Sequence, residues 1–271
     1  MSKLSPAVML IFLIMLCAVP ASLHAQATDE PVITDEMVLQ AEPLSGIRLG
    51  IGIESGGFWF SRNEARIPGD SGTRFDLTEL TGTGAQAYLR LNLNIGFGER
   101  HNLRLLFAPL SQSGTGRLSE PVFFENSEFA SGLPTQGTYR FNTYRATYRY
   151  DFYRDSRWEI GAGAALLVRD AKIELAQGAL RETNTDLGLV PLLHFRTAAT
   201  VTDRLTAVLD AEGLLAPQGR AFDVSFQADY RLGDSFSFFA GYRFLDGGAD
   251  TDDVYTFAWV NYLLGGIRFG F

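Results

Sequence analysis

The sequence predicts an all-β fold, an antiparallel up-and-down transmembrane β-barrel. Successive segments alternate apolar and polar residues with a period of two, which gives each strand one apolar and one polar face. Long and short connections alternate along much of the chain. The composition is 46% hydrophobic and 20% charged. This ordinary composition is typical of barrels, in which polar residues on the inner face dilute an apolar outer face.

Ten segments carry the alternation. It is clearest in residues 85–97, where Leu89 and Leu91 share one face and Arg90 and Asn92 share the other. An even number of strands is typical of single-chain bacterial barrels. Eight strands remain the alternative, if the connection at 216–219 is only a kink. The predicted strands are residues 46–61, 85–97, 102–116, 138–152, 157–173, 188–200, 204–215, 221–232, 235–245 and 255–271.

The connections predict which side of the barrel holds the chain ends. Short turns follow the second, fourth, sixth and eighth strands, whereas residues 62–84, 117–137 and 175–187 are long connections. Membrane barrels have short turns on one side and longer loops on the other. Both ends of an even-numbered barrel should therefore lie on the side of the short turns. The connection at 216–219 is the exception, because it is short where a long one is expected.

Residues 1–25 have the organisation of a cleaved secretory signal peptide. A basic start at Lys3 precedes an apolar run and small residues up to Ala25. Cleavage removes Lys3 and Cys17, the single cysteine, and changes the formal charge from −8 to −8 − 1 = −9. This acidity argues against nucleic acid as a partner. Residues 26–45, acidic and with two prolines, are predicted to be a periplasmic leader segment, and residues 46–271 the barrel domain.

The last predicted strand ends in alternating aromatic residues. Phe269 and Phe271 share one face, and Arg268 and Gly270 share the other. This ending resembles the closing strand of small bacterial outer-membrane β-barrel proteins, in which it is the signal read by the assembly machinery. The resemblance implies an outer-membrane location in a Gram-negative-type bacterium with both termini in the periplasm. It also implies two partners, outer-membrane lipid and the barrel-assembly machinery.

A soluble periplasmic β-sandwich is the alternative fold, since it would bury the apolar face against a second sheet. It would not explain the terminal Phe271. Nor would it explain the aromatic residues near both ends of the strands, which are typical of the two interfacial belts of membrane barrels. The barrel is therefore the preferred prediction, and a further protein partner at the external loops or in the periplasm is left open.

The inward-facing residues predict a network of charges inside the barrel. A barrel of about eight to ten strands has an interior that side chains can fill. Opposite charges confined there should pair, because an unpaired buried ion costs several kcal/mol. The alternative is a narrow arginine-lined pathway for anions. The predicted network contains Arg48, Glu54, Arg90, Arg104, Arg145, Arg149, Glu159, Arg169, Arg196, Asp223, Asp229, Arg231, Arg243 and Arg268.

His194 is the weak candidate for catalysis. The tight turn at 202–203 brings Asp210 or Glu212 across from it on the same face. A carboxylate beside an imidazole prepares a general base. His194, however, is predicted near the middle of the membrane, whereas the omptin proteases and lipid A deacylases among the resembling barrels act at the outer rim or surface. A buried pair within the charge network is therefore the preferred interpretation.

No metal or cofactor site is predicted. The acidic residues 246–253 lack the spacing of a calcium-binding loop. Phe123, Phe124 and Phe129 in the second long connection predict contact with a partner or lipid, or a lid over the barrel mouth. The predicted function is that of an integral outer-membrane barrel with a closed, charge-filled lumen, acting structurally or in binding or narrow transport through its external loops. The alternative is a barrel enzyme that hydrolyses lipid A or peptide.

Overall fold

The structure, a computed structural model, describes residues 46–271. The predicted signal peptide and leader segment lie outside the described residues. Fifteen short and long elements follow one another along the described chain, and all but one are strands. They are β1 (Ile47–Arg66), β2 (Phe75–Asp76), α1 (Thr78–Thr81), β3 (Gln86–Phe97), β4 (His101–Ala108), β5 (Ser111–Arg117), β6 (Val122–Phe124), β7 (Ser127–Phe129), β8 (Pro134–Arg154), β9 (Trp158–Gln177), β10 (Leu180–Thr200), β11 (Leu205–Ala216), β12 (Gly219–Arg231), β13 (Phe236–Asp250) and β14 (Tyr255–Gly270).

The barrel closes through antiparallel pairing of β1 with β14, with Gly50 opposite Gly270 at one end of the ladder. The strands β4 and β5 both pair with β8 and together form one barrel strand. The strand β2 pairs with β1 at its edge, and β6 and β7 form a separate hairpin. The ten-stranded barrel is therefore confirmed. Eight strands is wrong because Ala216 and Gly219 close a hairpin between β11 and β12.

The two ends of the barrel differ in their connections. We call the end at which β1 begins and β14 ends the turn end, because tight turns join the strands there. We call the opposite end the loop end, since the two long connections, 67–85 and 118–133, lie there. Within residues 46–271, no helix is long and apolar enough to cross a membrane.

The predicted long connection at 175–187 is wrong. The strands β9 and β10 continue as one ladder to Gln177 and Leu180, and the hairpin turns at Gly178, whose φ of 62° suits glycine. The charged residues there resemble a loop in sequence, but Arg181 donates across the ladder to Glu174 of β9. Glu174 also accepts a hydrogen bond from Lys172 of its own strand at 3.2 Å. The hairpin therefore projects as an extension of the barrel wall.

Large apolar side chains cover the outer face of the barrel. Leu193 is 68% exposed and Leu263 is 65% exposed, and both have the outward parity that the sequence predicts. The apolar face of each strand is therefore not packed against a second sheet, and the sandwich alternative is wrong. An apolar surface of this extent is typical of lipid contact. Phe269 and Phe271 are also exposed, and their role as an assembly signal stays a prediction.

The first long connection folds onto the inner face of the barrel wall. The helix α1 lies against β5, where Gly114 and Gly116 leave room for it. A Cβ atom at Gly116 would lie 2.0 Å from the carbonyl oxygen of Glu79, so any side chain there would displace the helix. The amide of Gln112 donates hydrogen bonds to the carbonyl oxygens of Thr81 and Gly82 at 3.0 and 3.1 Å. These contacts hold the connection at the loop end.

The second long connection contributes two buried aromatic side chains. Phe124 and Phe129 are fully buried, whereas Phe123 is 37% exposed. The ring of Phe124 packs edge-on against Phe75 of the first connection, with centroids 5.9 Å apart. The sequence left open a partner or lipid contact and a lid over the barrel mouth. The burial of Phe124 and Phe129 agrees with the lid. An external contact stays open for Phe123 alone.

Candidate functional site

A layer of eight charged side chains crosses the lumen at mid-depth. It contains four arginines and four carboxylates, so its formal charge is +4 − 4 = 0. Each side chain comes from the inward face of its strand, because alternate residues of a strand point into the barrel. We call this set the charged layer: Glu54, Arg90, Arg104, Arg145, Asp210, Glu212, Asp223 and Arg243.

One half of the charged layer is centred on Arg243. Its guanidinium donates to Asp223 Oδ1 at 2.6 Å and to Glu54 Oε2 at 3.0 Å. Arg90 donates to the other oxygen of Asp223 at 3.0 Å and lies 3.6 Å from Glu54 Oε1. The hydroxyl of Tyr88 donates to Glu54 at 3.0 Å. Each carboxylate in this half is therefore held by at least two donors.

The other half is centred on Arg104. Its guanidinium donates to both oxygens of Asp210, at 3.0 and 3.1 Å, in the paired geometry that suits arginine and carboxylate. It also donates to Glu212 Oε1 at 2.7 Å. Thr147 donates a further hydrogen bond to that oxygen at 2.6 Å. Arginine and hydroxyl donors thus surround both carboxylates.

Arg145 joins the two halves. Its guanidinium donates to Glu212 and lies 3.1 Å from Asp223, so one cation bridges carboxylates from β11 and β12. Arg145 is 5% exposed and Glu212 is 2% exposed. In such poorly hydrated surroundings, loss of one member leaves an uncompensated ion. Arg145 therefore makes the charged layer a single connected unit.

His194 lies directly beside the charged layer. Its Nε2 atom is 3.3 Å from Asp210 Oδ2, and its backbone register partner is Glu212. The three side chains bring possible metal-ligand atoms within 4.8 Å of one another. A divalent cation at this point would lie next to Arg104 and Arg145, which already neutralise both carboxylates. The arrangement is therefore better suited to an ionic network than to a metal centre.

A second group of charges lies nearer the turn end. Arg149 donates to Asp151 at 2.6 Å and to Glu159 at 3.2 Å, while Arg154 and Arg196 also pair with Glu159. Asp151 is fully buried. Neither Asp151 nor Arg154 is among the sequence-predicted residues. Asp151 lies within the predicted strand 138–152 and shares the inward parity of Arg149, so the sequence carried that signal. Arg154 lies beyond the predicted end of the strand.

The remaining predicted network residues lie outside the charged layer. The sequence predicts one network of charged side chains, whereas the structure shows several separate groups of them. Arg268 pairs with Asp229, Arg169 with Asp186, Arg48 with the carbonyl oxygen of Gly98, and Arg231 with that of Asp203.

Inward-facing aromatic rings pack on the loop-end side of the charged layer. We call Phe58, Phe60, Tyr88, Tyr139 and Tyr262 the aromatic cluster. The rings of Phe60 and Tyr139 meet edge-on with centroids 5.2 Å apart, and those of Tyr88 and Tyr262 are 4.9 Å apart. Sequence analysis did not single out these residues. The signal was present, because Phe58 and Phe60 continue the inward parity of Glu54.

Two cavities lie on opposite sides of the charged layer. A turn-end cavity of about 650 Å³ extends inward to His194 and Asp210. A loop-end cavity of about 400 Å³ extends inward to Arg145 and Asp223. The two cavities have no lining residue in common. The charged layer therefore lies between the two cavities.

Comparison with known proteins identifies the fold alone. No protein-family model matches the chain, and no curated protein is similar to it. Among solved structures, the outer membrane protease OmpT of Escherichia coli matches with a TM-score of 0.57 and 9% identity over 83% of this chain and 97% of its own. The chain has the fold of a bacterial outer-membrane β-barrel.

Two smaller outer-membrane barrels match with lower scores. The attachment invasion locus protein Ail of Yersinia pestis, in complex with the heparin analogue sucrose octasulfate, has a TM-score of 0.38 and 11% identity, over 83% of this chain and 99% of its own. Neisserial surface protein A has a TM-score of 0.33 and 14% identity, over 84% of this chain and 98% of its own.

Proposed function

We propose that the protein is an integral outer-membrane barrel that does not conduct solutes and acts by binding at its loop end. The observation that carries this proposal is the position of the charged layer between two separate cavities. The two cavities share no lining residue, and the central carboxylates Glu54, Glu212 and Asp223 are each at most 3% exposed. A hydrated ion or sugar would have to displace these side chains in order to pass.

Opening the charged layer would require several ion pairs to break together. Arg243 pairs with Glu54 and Asp223. Arg145 pairs with Glu212 and Asp223, and so connects the two halves of the charged layer. Removing one partner from a buried pair costs about 3–5 kcal/mol. Spontaneous opening would therefore be rare, which supports a closed barrel over the anion pathway considered from the sequence.

The enzymatic alternative has less support. It rests on His194 with Asp210 and Glu212, which would act on lipid A or a peptide. All three side chains are at most 6% exposed and are packed among arginines. The turn-end cavity reaches His194 and Asp210, but Asp210 is already paired with Arg104 deep inside the barrel. The comparison with OmpT concerns the fold and adds no catalytic residue.

The proposal also gives an orientation. The apolar outer face contacts outer-membrane lipid, the turn end and both termini face the periplasm, and Phe269 and Phe271 are available to the barrel-assembly machinery. Replacing Phe271 by Lys should lower the amount of folded, heat-modifiable barrel in outer-membrane fractions. The matched control is Phe123→Lys, at an exposed phenylalanine of the second long connection. Equal amounts of folded barrel for wild type and Phe271→Lys would contradict the assembly role.

Solute flux tests the closed lumen. We expect liposomes that contain the refolded protein to swell in arabinose or potassium chloride no faster than protein-free liposomes. A general porin in the same lipid serves as the positive control, and heat-modifiable migration verifies that the barrel is folded. Swelling that increases with the amount of folded protein would contradict the proposal.

A further inference from the structure

The loop-end cavity is large enough to hold a small ligand. It lies between the projecting β9–β10 hairpin and the ends of β12, β13 and β14, and it opens at the loop end. Its volume of about 400 Å³ falls within the range of roughly 300–1,000 Å³ found for small-molecule sites. The turns at 178–179, 217–218 and 251–254 bound this side of the mouth. Both long connections contact its rim, because the backbone N–H of Asp70 donates to the carbonyl oxygen of Asp252 at 3.0 Å and the Asn184 amide donates to Glu125 at 2.6 Å.

Part of the deeper wall of the loop-end cavity is aliphatic, beside Arg145. Leu167 and Leu192 are each 4% exposed and form a small apolar cluster, against which Val190 and Ala221 pack. Leu245 continues this surface on β13. Apolar surface that faces a cavity favours an apolar ligand group, with about 25 cal/mol gained per Å² buried. A hydrocarbon chain therefore fits this wall.

The same cavity presents hydrogen-bond donors without partners. Three buried N–H groups, at Asn63 Nδ2, Arg145 Nε and Arg169 Nε, have no hydrogen-bond partner among the described residues. Asn63 is 1% exposed and Arg145 is 5% exposed. A buried donor without a partner costs about 1–3 kcal/mol. A ligand that brings acceptor oxygens would recover part of that cost.

The acidic residues of the cavity do not offer an equivalent site for a cation. Asp223 is held by arginines of the charged layer, Asp186 pairs with Arg169, and Asp246 pairs with Arg220 at 2.6 Å. Asp253 lies at the exposed mouth. The unused hydrogen-bonding capacity inside is therefore that of donors, and it selects a head group that accepts hydrogen bonds.

We infer that the loop-end cavity binds a medium-chain alkyl carboxylate, with the hydrocarbon along Leu167, Val190 and Leu192 and the carboxylate at the free donors. This inference deepens the proposed function and rests on it, because it names the ligand class for binding at the loop end. Octanoate is a suitable probe. Octylamine has the same tail with a cationic head, and butyrate has the same head with a short tail.

Calorimetric titration of the protein in lipid nanodiscs tests the inference, with empty nanodiscs as the reference. We expect saturable binding of octanoate, and at least tenfold weaker binding of octylamine and butyrate. Val190→Trp should fill the cavity and weaken octanoate binding at least tenfold. The matched control is Val168→Trp on the neighbouring strand β9, which has the outward parity and should bind octanoate as wild type does.

Several results would overturn the inference. They are binding no greater than that of empty nanodiscs, equal binding to the Val190→Trp variant, and tighter binding of octyl phosphate than of octanoate. The two proposals fail separately. A barrel that leaks solute but binds octanoate would contradict only the closed lumen, whereas a silent barrel without saturable binding would contradict only the carboxylate site.

Discussion

The charged layer and the aromatic cluster fill adjacent levels of one lumen by different physical means. In the charged layer, each side chain is specified by the charge of its partners, as Arg243 is by Glu54 and Asp223. In the aromatic cluster, each ring is specified by shape, as Phe60 is by the edge-on contact with Tyr139. The charged layer should therefore be most sensitive to the loss of a charge. The aromatic cluster should be sensitive to a change of ring shape, and more so to the introduction of a charge.

The largest effect should follow from removing one carboxylate of the charged layer. Glu212→Ala leaves Arg145 with Asp223 as its remaining partner and frees a donor of Arg104. We expect a loss of about 3–5 kcal/mol in the free energy of unfolding, because a buried charge loses its compensation. Urea unfolding in lipid vesicles, followed by tryptophan fluorescence, measures this loss.

A double variant tests whether the stability lost in Glu212→Ala is due to an unpaired charge. Replacing Arg145 by Met together with Glu212 by Leu leaves three charges of each sign in the layer. Well-packed apolar replacements of a buried ion pair are often neutral or stabilising. We therefore expect the double variant to recover most of the stability that Glu212→Ala loses. If both variants are equally unstable, pairing is not what holds the charged layer together.

A smaller effect should follow from a change of shape in the aromatic cluster. Phe60→Leu keeps an apolar side chain but removes the edge-on contact with Tyr139. The expected loss is about 1–2 kcal/mol, because an aromatic pair contributes about 0.5–1.5 kcal/mol beyond its buried area. The same urea experiment applies. Phe60→Asp should destabilise the barrel more than Phe60→Leu does, because it buries a charge without a partner. An Asp variant as stable as the Leu variant would contradict the distinction.

The smallest effect should come from an exposed turn outside both regions. Asp155 accepts hydrogen bonds from the Tyr153 hydroxyl at 2.7 Å and from the backbone N–H groups of Trp158 and Arg157 at 2.6 and 2.8 Å. The hydrogen bond from Tyr153, followed by those from the two backbone groups, lowers the pKa of this carboxyl below its ordinary value. The ionised form therefore stabilises the folded turn.

The sign of the pH dependence follows from that lowered pKa. The contribution is fully present above the unfolded pKa of about 4 and is lost as pH falls through the folded pKa. Asp155→Asn should therefore lower the urea midpoint slightly at pH 7, and the difference should shrink as pH falls below the unfolded pKa and through the lowered folded pKa. Asp234→Asn changes one charge at another turn and serves as the control. A difference between wild type and Asp155→Asn that grows on acidification would contradict this account.

The sequence allowed the strand number and the two faces of each strand to be predicted, because both follow from local alternation. It failed at 175–187, where polar residues have the composition of a loop but continue an extended ladder, in which Arg181 of β10 donates to Glu174 of β9. Local alternation also cannot predict which charged side chains pair with each other across the lumen. Arg90 and Asp223 are 133 positions apart in the chain, and their contact depends on the closure and stagger of the barrel.

Single-channel conductance of the refolded protein in a planar bilayer tests the closed lumen most directly. The account predicts no steady current from folded, heat-modifiable wild-type protein, because the charged layer separates the two cavities. It further predicts that Arg90→Ala combined with Arg145→Ala, if folded, conducts more than wild type. A steady anion-selective wild-type current that disappears in the double variant would contradict the account and establish an arginine-lined pore.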